Sequence, residues 1–249
     1  MEHLYLPPSL RYLEPMRVIV GEPMDHVSFV YDLIEATRPR LVVDVGVGTG
    51  LSFAVACQSM RDHDVDGLVY GIDSWEDDEQ KSEVDSTRWA SLNTVLHRHF
   101  RGVGYLMKMT CTEALPHFAE GSIDVVRLNP ARAAVPLGSL IDSWTPRLAR
   151  GGVLLCHGVS DRERPDVGED WKRCIGARTG FVFTHGTGLG VFRTTPKDDE
   201  PASPLLRLLT SEHADDREGL ARFYEHADRH HSIRVEVHSA WTSVGGRKR

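Results

Sequence analysis

The segment Leu41-Val42-Val43-Asp44-Val45-Gly46-Val47-Gly48-Thr49-Gly50 constrains this chain more than any other. Apolar residues lead into an acid, glycine then falls at every second position, and Leu51-Ser52-Phe53-Ala54-Val55 opens a helical pattern. A buried strand gives way to a tight turn and then to a helix. Glycine admits backbone angles closed to other residues and lets a ligand come close to the main chain. The helix N-terminus beyond it offers free N–H groups and the positive end of a dipole. Strand, loop and helix together read as a cofactor seat.

A dinucleotide fingerprint would be G-x-G-x-x-G. Gly46 and Gly48 fit it, but its third position falls on Leu51, and the pattern is D-x-G-x-G-x-G. A second acid is expected about 20 residues on, at the end of the next strand, where it accepts hydrogen bonds from a ribose. Leu68-Val69-Tyr70-Gly71-Ile72-Asp73 supplies it. With both acids in place the chain resembles the class I S-adenosylmethionine (SAM)-dependent methyltransferases. The resemblance implies SAM as cofactor, the glycine loop against its methionine end and Asp73 on the ribose hydroxyls.

Further along, hydrophobic spacing predicts helices over about 26–37, to about Arg61, 86–100, 111–118 and from Leu137 to Leu148. Strands are expected near 41–45, 68–73, 103–107, 122–129 and 153–157, and alternation with helices implies a largely parallel sheet with right-handed crossovers. Phe181-Val182-Phe183-Thr184 and Gly190-Val191-Phe192-Arg193 are joined by a short loop, as antiparallel strands can be. The expected fold is therefore an α/β, Rossmann-like class I methyltransferase sandwich: a mostly parallel seven-stranded sheet with an antiparallel terminal pair. Residues 1–24 read as an N-terminal extension or lid, 25–195 as the SAM-binding domain, and 196–249 as a linker plus a C-terminal helical appendage. Within that appendage Ile233-Arg234-Val235-Glu236-Val237 reads as a last edge strand.

A formal charge of −7 and a pI near 6.0 argue against a general nucleic-acid binder. Cys57, Cys111, Cys156 and Cys174 lie far apart with no C-x-x-C, which fits reduced cytoplasmic thiols rather than a disulfide frame or a zinc site. No signal-peptide pattern and no run of ~20 apolar residues is present, so a soluble cytoplasmic protein with no membrane partner is expected. The expected partner is a small-molecule acceptor. Residues after about 200 are candidates for a homo-oligomer contact or a cap on the site.

The resemblance narrows further on local motifs. Tyr70-Gly71-Ile72-Asp73-Ser74-Trp75-Glu76-Asp77-Asp78-Glu79 is similar to the G-(I/V)-D-(T/S)-W-x-G-D-E run of a bacterial methyltransferase group often found beside glycosyltransferases. Phe118-Ala119-Glu120-Gly121-Ser122-Ile123-Asp124 and Thr145-Pro146-Arg147-Leu148-Ala149-Arg150-Gly151-Gly152-Val153-Leu154-Leu155 resemble its F-x-x-G-S-I-D and W-L-P-K-L-x-x-G-G-V-x-L passages. Where that group shows I-D-G-x-H-x-Y, this chain has Asn129 for the acid and Arg132 for the histidine; where it shows H-D, His157 stays and Gly158 replaces the acid. A Mg²⁺ site usually takes at least one or two carboxylates. A metal-independent reaction is expected, and no metal ligands are assigned.

The candidate cofactor-binding residues are Asp44, Gly46, Gly48, Gly50, Asp73, Ser74, Trp75, Thr110 and Asn129. His157, at the carboxyl end of the fifth strand, is the first candidate base for taking a proton from an acceptor, and His185, between glycines in a flexible loop, the second. The expected reaction is methyl transfer to a hydroxyl or amine of a sugar or specialised metabolite, an acceptor class implied by the resemblance. Two rivals stand beside it. One keeps SAM but has lost methyl transfer; the other, a nicotinamide dehydrogenase, lacks the third glycine and a Tyr-x-x-x-Lys pair.

Overall fold

The computed structural model describes residues 7–9, 25–75, 86–176, 180–194 and 203–245, with backbone alone at 86–87 and 233–245. Helix α1 (Val27–Thr37) leads into β1 (Leu41–Val45), α2 (Leu51–Asp62) and β2 (Leu68–Asp73). Then come α3 (Ser86–His99), β3 (Gly104–Lys108), α4 (Cys111–Ala114), β4 (Ile123–Leu128), α5 (Pro130–Ala133) and α6 (Leu137–Trp144). Strand β5 (Leu148–His157), α7 (Pro165–Ile175), β6 (Gly180–Phe183), β7 (Leu189–Arg193), α8 (Pro204–Leu209) and α9 (Ala214–Gly245) complete the chain.

The seven strands form one sheet in the order β3-β2-β1-β4-β5-β7-β6. All neighbours are parallel except β7, which runs antiparallel to both β5 and β6. The order reverses between β1 and β4, and open α/β sheets bind ligands at such a switch point, beyond the carboxyl ends of the strands. The glycine loop, Asn129 and His157 all follow strands that end there. The expected antiparallel terminal pair is present as β6 and β7.

Strand periodicity sorts the core into two layers. Val42, Val125, Val153 and Leu155 point to one face, where α1, α2, α8 and α9 pack. Val43, Val45, Val126, Leu128, Leu154 and Cys156 point to the other, against Leu140, Trp144 and Trp171 of α6 and α7. Successive side chains of a strand alternate in this way. The same alternation puts Asp44, Arg127 and His157 on the α1–α2 face, in step with Val42, Val125 and Leu155.

One expectation is corrected. Ile233–Val237 is not an edge strand, because α9 runs unbroken from Ala214 to Gly245. The β-branched residues that suggested a strand carry only a weak local preference, and a helix already under way overrides it. Residues 1–6 and 10–24 of the expected lid, the acidic run 76–85 and linker residues 195–202 lie outside the described residues.

Candidate functional site

The glycine loop is built by backbone hydrogen bonds between neighbouring strands. Gly46 N–H donates to the Ile72 carbonyl at 2.8 Å, and Asn129 N–H to the Val45 carbonyl at 2.9 Å. Gly46 has φ +80°, and a Cβ there would stand 2.6 Å from the Asn129 carbonyl oxygen, so only glycine fits. Gly48, φ +60°, packs under the Arg132 side chain, and its N–H donates to Asp73 Oδ2 at 2.9 Å. The other oxygen of Asp73 accepts from Trp75 N–H at 2.9 Å. Each carboxylate oxygen keeps a second lone-pair direction for a ligand.

Around this carboxylate lies a cavity of about 140 Å³ lined by Gly46, Gly48, Asp73, Ser74, Trp75 and Thr110 among others. Trp75 is buried in the left-handed region, φ +51°, and its indole N–H has no partner among the described residues. Strained backbone and an unsatisfied donor persist where surrounding structure holds them for a purpose. Thr110 also caps α4 in a capping box with Glu113, so its oxygen has local work at the cavity edge.

A second cavity, about 230 Å³, adjoins the first across Gly48 and Arg132. Its walls include Asp25, His26, Ser52, Arg127, Asn129, His157 and Thr187. Asn129 Oδ1 is buried here without a hydrogen-bond partner among the described residues. His157 Nε2 lies 3.2 Å from Thr187 Oγ1. Burial, then the nearby Arg127 charge, lowers the His157 pKa to about 4 against a smaller upward pull from Asp161. The ring is therefore neutral across physiological pH, the state in which it can accept a proton.

The nine candidate cofactor residues and two candidate bases thus divide. Gly46, Gly48, Asp73, Ser74, Trp75, Thr110 and Asn129 come to the two cavities. Gly50 instead caps α2 against Leu92. Asp44 is buried beneath the loop, accepting from Ser52 Oγ at 2.7 Å and from Arg127 at 2.8 Å. It supports the seat rather than lining either cavity. His157 lines the larger cavity, while His185 stands behind it with Nε2 held 3.1 Å from Asp228 Oδ2.

Residues 43–159 match a family described as a methyltransferase domain. The match runs from β1 through the end of β5, and takes in the lining of the smaller cavity and part of that of the larger one. The chain is 26% identical over 186 residues to the uncharacterized protein y4gI of Sinorhizobium fredii (strain NBRC 101917 / NGR234). That alignment takes in 74% of this chain but only 20% of the longer protein. Among solved structures, it resembles the SAM complex of the O-methyltransferase TomG from Streptomyces achromogenes, with a TM-score of 0.54, 14% identity, and coverage of 76% of this chain and 94% of TomG. A methyltransferase from Geobacter sulfurreducens gives 0.52 at 14% identity, covering 71% and 81% respectively. The SAH-bound Podospora anserina methyltransferase PaMTH1 gives 0.52 at 13%, covering 69% and 78%. At such identities the likeness is one of fold: a Rossmann-like methyltransferase sheet.

The sequence reading did not single out Asp25, His26, Arg127, Thr187 or Asp228. Arg127 left a trace: it is a lone cation inside the apolar strand Ile123–Leu128, aligned in register with Asp44. The others left none, because they meet only through tertiary folding. Asp228 lies 202 positions from His26, whose N–H donates to it at 2.6 Å.

Proposed function

We propose that this protein transfers the methyl group of SAM to a hydroxyl or amine of a small molecule, a sugar or specialised metabolite. The observation that carries the reading is Asp73. Its carboxylate closes β2, receives Gly48 N–H, and lines a cavity that shares Gly48 and Arg132 with a second one lined by His157.

The chain's own groups fit that cofactor. Asp73 has lone pairs for ribose hydroxyls, the glycines leave room for close approach, and Asn129 Oδ1, without a partner among the described residues, suits an ammonium donor. Bound there, SAM would supply a methyl group already activated by its sulfonium charge. The protein's task is then to hold the acceptor in line, an arrangement worth on the order of 7–11 kcal/mol in favourable cases. His157 takes the acceptor proton, a role that typically adds about 10²–10⁴-fold. Asn129 and Gly158 stand where Mg²⁺-using relatives of the resembled group carry acids, so the reaction is assigned no hard cation between donor and acceptor. The glycosyltransferase-associated group remains the reading that the G-I-D-S-W-E motif supports best. Residues 25–195 would be the cofactor unit. The C-terminal segment buttresses it through Tyr224, whose hydroxyl donates to Asp32 at 2.9 Å, and Asp228.

Calorimetric titration with SAM and with S-adenosylhomocysteine tests this directly. Heat is expected for both, and Asp73→Ala should remove it. A His157→Ala variant should keep SAM affinity and lose turnover with a competent acceptor. No heat from either nucleoside would overturn the enzyme class, and full turnover by His157→Ala would remove His157 as the base.

A further inference from the structure

Beside the larger cavity, which His26 lines, polar side chains from three distant stretches converge. His26 sits at the start of α1, His185 on the loop between β6 and β7, and Asp228 on α9. Each offers one ligand atom, and all three atoms lie within 4.8 Å of one another. The two imidazole rings stand 4.3 Å apart between centroids. His26 and Asp228 are each 3% exposed.

His26 is the anomaly. Neither of its ring nitrogens has a hydrogen-bond partner among the described residues, although both are buried. Its ring lies against Phe183 and His185, neither of which answers them. Its backbone is held in the left-handed region at φ +66°, where a non-glycine residue is strained. Asp228 pins that backbone, accepting from His26 N–H at 2.6 Å and Ser28 N–H at 3.0 Å. Such bonds orient a carboxylate without using all of its roughly four acceptor positions, and ligating carboxylates are commonly held by donors of this kind.

The geometry points to a binding site for a divalent transition ion of the zinc class, held by His26, His185 and Asp228. Two imidazoles and one carboxylate suit Zn²⁺ or Fe²⁺, whereas Mg²⁺ prefers oxygen and water. A tetrahedral ion with bonds of about 2.0–2.1 Å sets its ligand atoms roughly 3.3 Å apart. His185 Nε2 and Asp228 Oδ2 already stand at 3.1 Å, so small side-chain rotations complete the set. The fourth position falls to water. The ion would satisfy His26 and tie α1, the β6–β7 loop and α9 together beside the acceptor cavity. It is separate from the cofactor seat, and Asn129 and Gly158 take no part in it.

The test uses the full chain, stripped with a chelator and titrated with Zn²⁺ or Co²⁺. One equivalent per chain should survive gel filtration, Co²⁺ should give the intense visible bands of a four-coordinate N/O site, and melting should rise by several degrees. His26→Ala keeps the backbone N–H that Asp228 holds, so it should fold. It should weaken Zn²⁺ binding by at least about 100-fold and abolish the melting shift, with His185→Ala behaving alike. Substoichiometric uptake by the wild type, the absence of Co²⁺ bands, or unchanged affinity in either folded variant would overturn the site. Titrating SAM into the same stripped samples separates the two readings. Heat from SAM without metal uptake overturns the ion site alone, and metal uptake without heat overturns the methyltransferase reading alone.

Discussion

Replacing Arg127 by methionine probes both the support of the site and its proton chemistry. The guanidinium donates to Asp44 at 2.8 Å, and the two side chains are only 13% and 4% exposed. Removing one partner of a buried pair leaves an uncompensated charge, at a cost of about 3–5 kcal/mol. Among the described residues Asp44 would keep only the Ser52 hydroxyl. For a chain of this length 1 kcal/mol moves the melting temperature by roughly 2–4 °C, so a fall of about 6–20 °C is expected. The double variant Asp44→Leu/Arg127→Met should recover much of that loss, since apolar replacements of buried pairs are often neutral or better. The second consequence concerns His157, whose pKa of about 4 owes its second-largest downward push to Arg127. In Arg127→Met that pKa should climb toward the ordinary 6.5. NMR titration of the imidazole, assigned with His157→Gln, measures it, and urea unfolding measures the stability. A single variant within 1 kcal/mol of wild type by unfolding, with an unmoved His157, would refute the reasoning.

Gly46→Ala should abolish SAM binding, because its Cβ meets a backbone carbonyl at 2.6 Å; Gly48→Ala, facing the flexible Arg132 side chain at 3.2 Å, should weaken it less. Calorimetry ranks the two, and equal losses would contradict the geometry. His157 is neutral in the fold down to about pH 4, so its contribution is complete above the unfolded value near 6.5 and is lost as pH falls from there to 4. By linkage that loss is about 3 kcal/mol, and His157→Gln should flatten the stability profile across that window. Asp32 runs the other way: burial raises it to about 7 despite donors on Ser9 and Tyr224. An acid raised in this manner makes the fold most stable below its unfolded value of about 4 and less stable as pH climbs to 7. Tyr224→Phe, which removes one donor to the charged form, should steepen that decline in urea unfolding.

The sheet was legible because its signals are local and period-two. Val42-Val43 and Leu154-Leu155 read as buried strands from their own neighbours, and the short Thr184–Gly190 connection implied an antiparallel pair. The strand ends followed, and with them the glycine loop, Asp73, Asn129 and His157 at one edge of the sheet. Ile233–Val237 misled because β-branched residues in a long helix look, over five positions, like a strand. The finer division of labour within the loop was not legible. Gly50 and Asp44 belong to the same motif as Gly46 and Gly48, yet Gly50 packs beside Leu92, Asp44 pairs with Arg127, and neither lines the two cavities.

The wall of the larger cavity shows the limit most clearly. His185 carried a local reason to be noticed, a histidine among glycines near the strand ends, and it reads as a base from that context. Its partners decide where it stands. Asp228 approaches from 43 positions downstream, and His26 lies against it from the start of α1. His185 Nε2 is held by that carboxylate and the residue lines neither cavity, whereas His157 lines the larger one. The methyl-transfer reading therefore rests on elements that a local pattern specifies, from β1 to β5. The larger cavity is also walled by the start of α1 and the β6–β7 loop, with Asp228 of α9 behind them, and these residues meet only after the chain has closed on itself.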